Sequence, residues 1–199
     1  ALKALGVVKG DRVLIYMPMV AEAAFAMLAC ARIGAIHCVV FGGFASGSLA
    51  SRIEDASPKL VVSSDAGSRG GKVVPYTPLL DEALKLSAHK PDAVLIIDRG
   101  LSPVAMDAKN VHSWSVMREK HLNASVPCEW LESTHPSYTL YTSGTTGKPK
   151  GVQRDTGGYA VALVASMKHI FCGNAGETYF STSDIGWVVG HSYIVYGPL

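Results

Sequence analysis

Apolar residues in the first hundred positions fall into short unbroken runs, and longer segments with helical spacing separate them. "DRVLIYM" (11–17), "AIHCVVF" (35–41), "KLVVSSD" (59–65) and "AVLIID" (93–98) are the runs, and they predict buried strands. Between the first two lies "VAEAAFAMLACARIG" (20–34), apolar on nearly every face, which predicts a buried helix stopped by Gly34. "GSLASRIEDAS" (47–57) and a segment from about 77 to 88 predict two more helices. Strands alternating with helices at this spacing predict βαβ units, right-handed crossovers and a mostly parallel sheet. Ligands of such sheets gather beyond the carboxyl ends of the strands. "FGGF" (41–44) and the Gly-rich link within "SDAGSRGGK" (64–72) directly follow predicted strands, which makes them candidate site loops.

The pattern weakens from about 100 to 136, where only "SWSVMREKHL" (113–122) has helical character. It resumes with a strand in "SYTLYTSG" (137–144), a returning strand in "GVQRD" (151–155) and a helix over 156–171. Tyr159, Leu163, Met167 and Ile170 recur at helical spacing in that helix, and Tyr159 and Met167 are read as core. "TYFSTSD" (178–184) predicts a further strand, and an apolar segment closes the chain. The organisation expected is an α/β part (1–100), a connecting segment (101–136) and a third part (137–199).

Composition narrows the function classes. The chain has 199 residues, 48% of them hydrophobic, enough for a substantial core. Eighteen basic against 16 acidic residues give a net charge of +2, with no basic stripe for a nucleic-acid partner. The apolar run at 20–33 is shorter than the ~20 residues a membrane-spanning helix needs. Cys30, Cys38, Cys128 and Cys172 are scattered without metal-ligand spacing, and Cys30 and Cys38 read as small core residues. A reducing, cytoplasmic setting is expected. The chain opens on Ala1 and stops at "YGPL", so a fragment of a longer protein is expected.

"LYTSGTTGKPKGV" (140–152) carries the clearest chemistry. Gly144, Gly147 and Gly151 let backbone approach a ligand closely, and successive amides in such a turn form a nest for anions. Thr142, Ser143, Thr145 and Thr146 offer hydroxyls, and Lys150 or Lys148 offers charge. The loop is not a P-loop. Only two residues separate Gly144 from Gly147, and Pro149 follows Lys148 where a Ser or Thr would hold Mg²⁺.

"YTSGTTGKPKG" instead resembles the signature loop of the adenylate-forming superfamily, which includes acyl-CoA synthetases, luciferases and peptide-synthetase adenylation domains. Thr139 departs from it, standing where that family usually has a large apolar residue. The stretches 9–53 and 183–199 are similar to short-chain acyl-CoA synthetases, and "GVQRDTGGYAVAL" and "GWVVG" are more like propionate–CoA ligases than acetate–CoA ligases. The resemblance implies layered sheets with flanking helices, part of a large N-terminal domain. It also implies ATP with Mg²⁺, coenzyme A and a short carboxylate as small-molecule partners, and a two-step ligase reaction through an acyl-adenylate. The adenine site, the magnesium ligand and a mobile C-terminal domain with a catalytic Lys are expected beyond Leu199. A mitochondrial setting is the other compartment compatible with it.

Residue by residue, the resemblance assigns Thr142, Ser143, Gly144, Thr145, Thr146, Gly147 and Lys150 to the phosphates of ATP, with Lys150 the leading cation. It assigns Arg69, Gly70, Gly71 and Lys72 to the nucleotide half of coenzyme A, with Lys72 where an Arg is usual. Gly42 and Gly43 would let coenzyme A pass close to backbone, and Val189 stands at a coenzyme-contacting position. Trp187 and Val188 fall near the acyl pocket, and Trp187 reads equally as core. His191 reads as hydrogen-bonded structure, and Asp184 as the cap of the segment after it.

Overall fold

The computed structural model describes residues 1–142 and 149–199. A 3-10 turn at Leu2–Leu5 leads into β1 (Arg12–Met17), α1 (Ala21–Ile33), β2 (Ile36–Phe41), α2 (Ser46–Ala56) and β3 (Leu60–Ser64). Then come β4 (Ala66–Arg69), β5 (Lys72–Pro75), α3 (Thr77–Leu86), β6 (Ala93–Ile97), β7 (Val111–Ser113) and α4 (Trp114–Lys120). The chain continues through β8 (Pro136–Thr142), β9 (Lys150–Asp155) and α5 (Thr156–His169), and ends in a helical turn at Val188–Gly190 that widens into a π-helical turn at His191–Tyr196.

The described strands form a seven-stranded sheet in the order β7-β6-β3-β1-β2-β8-β9 and a separate β4-β5 hairpin. Six strands of the large sheet run parallel, and β9 alone pairs antiparallel, with β8. The expectation of a mostly parallel α/β sheet with flanking helices holds.

Alternation along the central strands sorts the core into two layers. Val13, Ile15 and Met17 of β1 pack with Val39, Val62, Leu95 and the α1 residues Ala23, Met27 and Cys30. Leu14 and Tyr16 point the other way, onto Leu49 and Ile53 of α2 and Leu80 and Ala83 of α3. Both faces of β1 are thus covered, which is why its sequence reads as one apolar run rather than an alternation. The run ends where the sheet meets solvent, at the carboxyl ends of β1 and β2.

Gly34 ends α1 in the left-handed conformation (φ 70°), as its position in the sequence indicates. One face of α1 differs from expectation: Phe25 and Leu28 are exposed, because the helix covers only one side of the sheet.

Three other readings are corrected. The "AGSRGGK" segment is not a link but a hairpin, with Ala66 opposite Pro75 and Arg69 opposite Lys72. Gly70 (φ 55°) and Gly71 (φ 75°) form its two-residue turn, and positive φ at both central positions is the requirement of a type I′ turn. Residues 178–184 form no strand, since no described strand offers them a ladder of hydrogen bonds. In α5 only Leu163 is buried; Tyr159 and Met167 are half-buried and Ile170 is 71% exposed, so the apolar stripe is only partly core.

Candidate functional site

Two clefts open at the carboxyl ends of the central strands. The first holds about 480 Å³ between the 41–44 loop, the end of β1 and the β4-β5 hairpin. The two loops singled out from the sequence therefore meet, because β2 and β3 flank β1 in the sheet. Gly42, Gly43 and Arg69 line this cleft with Phe41, Tyr76 and Asp184.

The hairpin presents two cations with no acid between them. Arg69 and Lys72 face each other across the strand pair, both exposed, and neither forms an ion pair among the described residues. Like charges directly opposite on a ladder are destabilising, so such a pair is a place for an anion. The Arg69 guanidinium lies 5.8 Å from the centre of the Phe41 ring, which turns it toward the cleft. The Cβ positions of Gly70 and Gly71 look into open space, so these two glycines serve the turn's backbone.

The base of the hairpin is pinned by Asp65, whose side chain is fully buried. Its carboxylate accepts hydrogen bonds from the Ser64 hydroxyl at 2.9 Å and from the N–H groups of Leu101 and Ser102 at 2.7 and 3.2 Å. Burial pushes this carboxyl up, but the hydrogen bonds from Leu101, Ala66 and Ser64 outweigh it and hold it below the ordinary range. Asp65 shows no motif in the sequence; only its buried position after a strand end makes it visible.

Tyr76 is the second residue that sequence reasoning missed. Its ring stacks on Tyr16 at 4.8 Å, and its hydroxyl lies against the backbone of Gly42 and Gly67. A Cβ at Gly42 would collide with that hydroxyl, and a Cβ at Gly43 would collide with the Phe41 ring and the Arg69 guanidinium. The glycines of "FGGF" are therefore required by packing inside the cleft wall itself. Burial, and secondarily Asp184, push the Tyr76 hydroxyl above its ordinary pKa, so it stays protonated.

The second cleft, about 840 Å³, lies between α2 and the paired ends of β8 and β9. Phe44, Ser48, Ser51, Arg52, Thr142 and Trp187 are among its walls. Thr142 and Lys150 stand opposite each other at the end of the β8-β9 pair, and Thr142 lines this cleft. Ser143, Gly144, Thr145, Thr146, Gly147 and Lys148 lie outside the described residues. Gly151 is opposite Tyr141, and a Cβ there would press on the Thr139 and Tyr141 side chains, so its absent side chain serves packing.

Trp187 is 46% exposed, with its ring 5.5 Å from Phe41 and 6.4 Å from Phe44, so it belongs to the cleft walls rather than the core. Asp184 caps the turn before it, accepting from the Gly186 N–H at 2.7 Å. Val188 faces a different pocket, of about 260 Å³, between β8 and α5, and Val189 is half exposed on the following turn. The structure brings Trp187 to the clefts and leaves Val188 and Val189 outside them.

His191 is fully buried beneath α5, where its ring lies 5.2 Å from His37 and 4.8 Å from Tyr138. It is structural, as expected, and neither ring nitrogen has a well-aligned hydrogen-bond partner among the described residues. Burial lowers its pKa to about 4, against a smaller opposing pull from the backbone of Ile185 and Trp187. His37, whose Nε2 is 2.6 Å from the Tyr196 hydroxyl, is held well below its ordinary pKa by burial and by His191.

Comparison with known proteins covers the whole chain. The family model described as AMP-binding enzyme matches residues 1–199. The chain is 63% identical over 199 residues to a propionate–CoA ligase of Salmonella typhimurium, covering 100% of this chain and 32% of the relative. It is 52% identical over 195 residues to the human mitochondrial acyl-CoA synthetase short-chain family member 3, covering 98% of this chain and 28% of the relative. The acetoacetyl-CoA synthetase from Streptomyces lividans superposes with a TM-score of 0.86 at 26% identity, over 98% of this chain and 30% of that one. The chain thus spans about a third of the length of the curated relatives it matches.

Proposed function

The chain belongs to the AMP-binding enzyme family, and on that premise we propose that the whole protein is an ATP-dependent ligase joining propionate to coenzyme A. What supports this reading most is the 63% identity to a named propionate–CoA ligase along the entire chain. The carboxylate oxygen attacks the α-phosphorus of ATP, the bond to pyrophosphate breaks, and the acyl-adenylate forms. The coenzyme A thiol, losing its proton, then attacks the acyl carbon and AMP departs.

Each cleft has a part in that reading. Thr142 and Lys150 frame the phosphate loop, with Lys150 neutralising charge that builds on the departing pyrophosphate; Ser143, Gly144, Thr145, Thr146 and Gly147 complete the grip. Arg69 and Lys72 take the phosphates of coenzyme A, and the groove beside Gly42 and Gly43 takes its chain. Trp187, at the cleft wall, borders the acyl group; Val188 and Val189, outside both clefts, take no part in this reading. The cation pair at Arg69 and Lys72, without an acid partner among the described residues, supports the coenzyme assignment. Magnesium would arrive with the nucleotide and offset phosphate charge. A cytoplasmic site of action goes with this chemistry.

The test uses the complete protein with ATP, Mg²⁺, coenzyme A and a panel of short carboxylates. Release of AMP and pyrophosphate that depends on the carboxylate, fastest with propionate, is expected. No release with any acid overturns the ligase reading; equal turnover of acetate overturns the substrate alone.

A further inference from the structure

Arg52 is a buried cation without a carboxylate partner. It sits in the middle of α2, only 7% exposed, and no described acidic side chain forms an ion pair with it. Among the described residues its one hydrogen bond runs from Nη1 to the Ser48 carbonyl at 2.7 Å, within its own helix. Burial works against its charge. A Met or Leu would fill the same space without that desolvation cost, so packing alone is a poor reason for an arginine here.

The guanidinium is placed between two aromatic rings. Its central carbon lies 4.2 Å from the centre of the Phe44 ring and 5.6 Å from the centre of the Tyr141 ring. One ring comes from a site loop and the other from the end of a strand. Phe44 ends the 41–44 loop and is common to the walls of both clefts. Tyr141 is the penultimate residue of β8, one before Thr142.

α2 grips Tyr141 a second time. The Tyr141 hydroxyl donates to Asp55 Oδ2 at 2.8 Å, and Asp55 is one helical turn beyond Arg52. Phe44 is also held from behind, where the Tyr16 hydroxyl donates to its carbonyl at 3.0 Å. The loop of the first cleft and the strand feeding the phosphate loop are thus tied to one helix, and Arg52 is the side chain that touches both.

We propose that Arg52 is a positioning residue that locks the 41–44 loop to the end of β8, so that the two clefts keep one relative geometry. A planar delocalised cation suits this position, since it lies flat against ring faces while a lysine ammonium is a compact, strongly hydrated charge. The kinetic part of this inference rests on the ligase reading; the mechanical part does not.

The test is therefore made twice on the complete protein. Hydrogen exchange of R52M should speed up in two segments, 41–44 and 139–142, with the β6 strand unchanged and R52K intermediate. Y141F, which loses only the Asp55 hydrogen bond, should speed exchange in 139–142 alone. In the ligase assay R52M should raise KM for both ATP and coenzyme A roughly tenfold with a smaller change in kcat. R52K should recover part of both effects. Exchange that rises in one segment only, or uniformly over the sheet, overturns the proposal, as does a lower melting temperature with both KM values unchanged. A wild-type protein without ligase activity overturns the functional reading, and the exchange result still decides the role of Arg52.

Discussion

The Tyr76 hydroxyl occupies the space that a β-carbon on Gly42 would need. This contact changes the meaning of the "FGGF" glycines. They are needed because an aromatic residue from beyond the hairpin, 34 positions later in sequence, packs against their backbone. Gly42→Ala should therefore destabilise by about 1–3 kcal/mol, the usual range for overpacking, because Tyr76 is pinned on Tyr16 and cannot simply swing away. Tyr76→Phe should recover only part of the loss in the double variant, since the ring carbon Cζ remains 3.0 Å and the Met17 carbonyl 3.1 Å from the added methyl. Urea unfolding of the two single variants and the double variant measures this; additive effects would contradict it.

The hairpin cations make a separable prediction. Arg69→Ala and Lys72→Ala remove exposed charges from a strand pair, so melting temperature should hardly move. The KM for coenzyme A should rise by about tenfold or more in each, while pyrophosphate exchange with ATP and carboxylate stays close to wild type. Lys72→Arg should bind coenzyme A at least as well as wild type, because the guanidinium fork suits phosphate.

Lys150 is exposed at the first position of β9, opposite Thr142. Lys150→Ala should slow carboxylate-dependent pyrophosphate exchange by about 10²-fold or more, the scale of losing one charge-stabilising group, with stability retained. The release of AMP from preformed acyl-adenylate on adding coenzyme A should be much less affected.

The buried histidine pair sets a pH response. His191 titrates near 4 when folded against an ordinary 6.5, so the unfolded chain takes up the proton first. Its contribution is fully present above about pH 6.5 and is lost as pH falls toward 4, at most about 3 kcal/mol for His191 alone. His37 shifts in the same direction and adds to the slope. Stability of the complete protein between pH 7 and pH 5 should fall less steeply in His191→Phe than in wild type. An unchanged slope would remove His191 as the cause.

Much of this molecule is legible along the chain because it depends on local pattern. Unbroken apolar runs mark strands covered on both faces, Gly34 marks a helix end, and "YTSGTTGKPKG" marks the family by its own residue string. The Gly-Gly of the hairpin carries a readable signal too, since a dipeptide with two positive φ angles is the commonest two-residue hairpin turn. Residues 178–184 mislead for the opposite reason: a strand needs a neighbour, and alternation in sequence does not supply one.

By itself the sequence determined the α/β class, the mostly parallel sheet, the family, and the two loops after β2 and β3 that line a cleft. Those follow from burial periodicity and from residue types at close spacing, which need no distant partner. Only the tertiary structure decided that the two loops share one cleft, that Tyr76 fills the space beside Gly42, that Val188 turns away from Trp187, and that Arg52 lies between Phe44 and Tyr141. Each of those depends on strand order and on contacts between residues far apart in the chain, and a side chain's role is set there by what the fold brings against it.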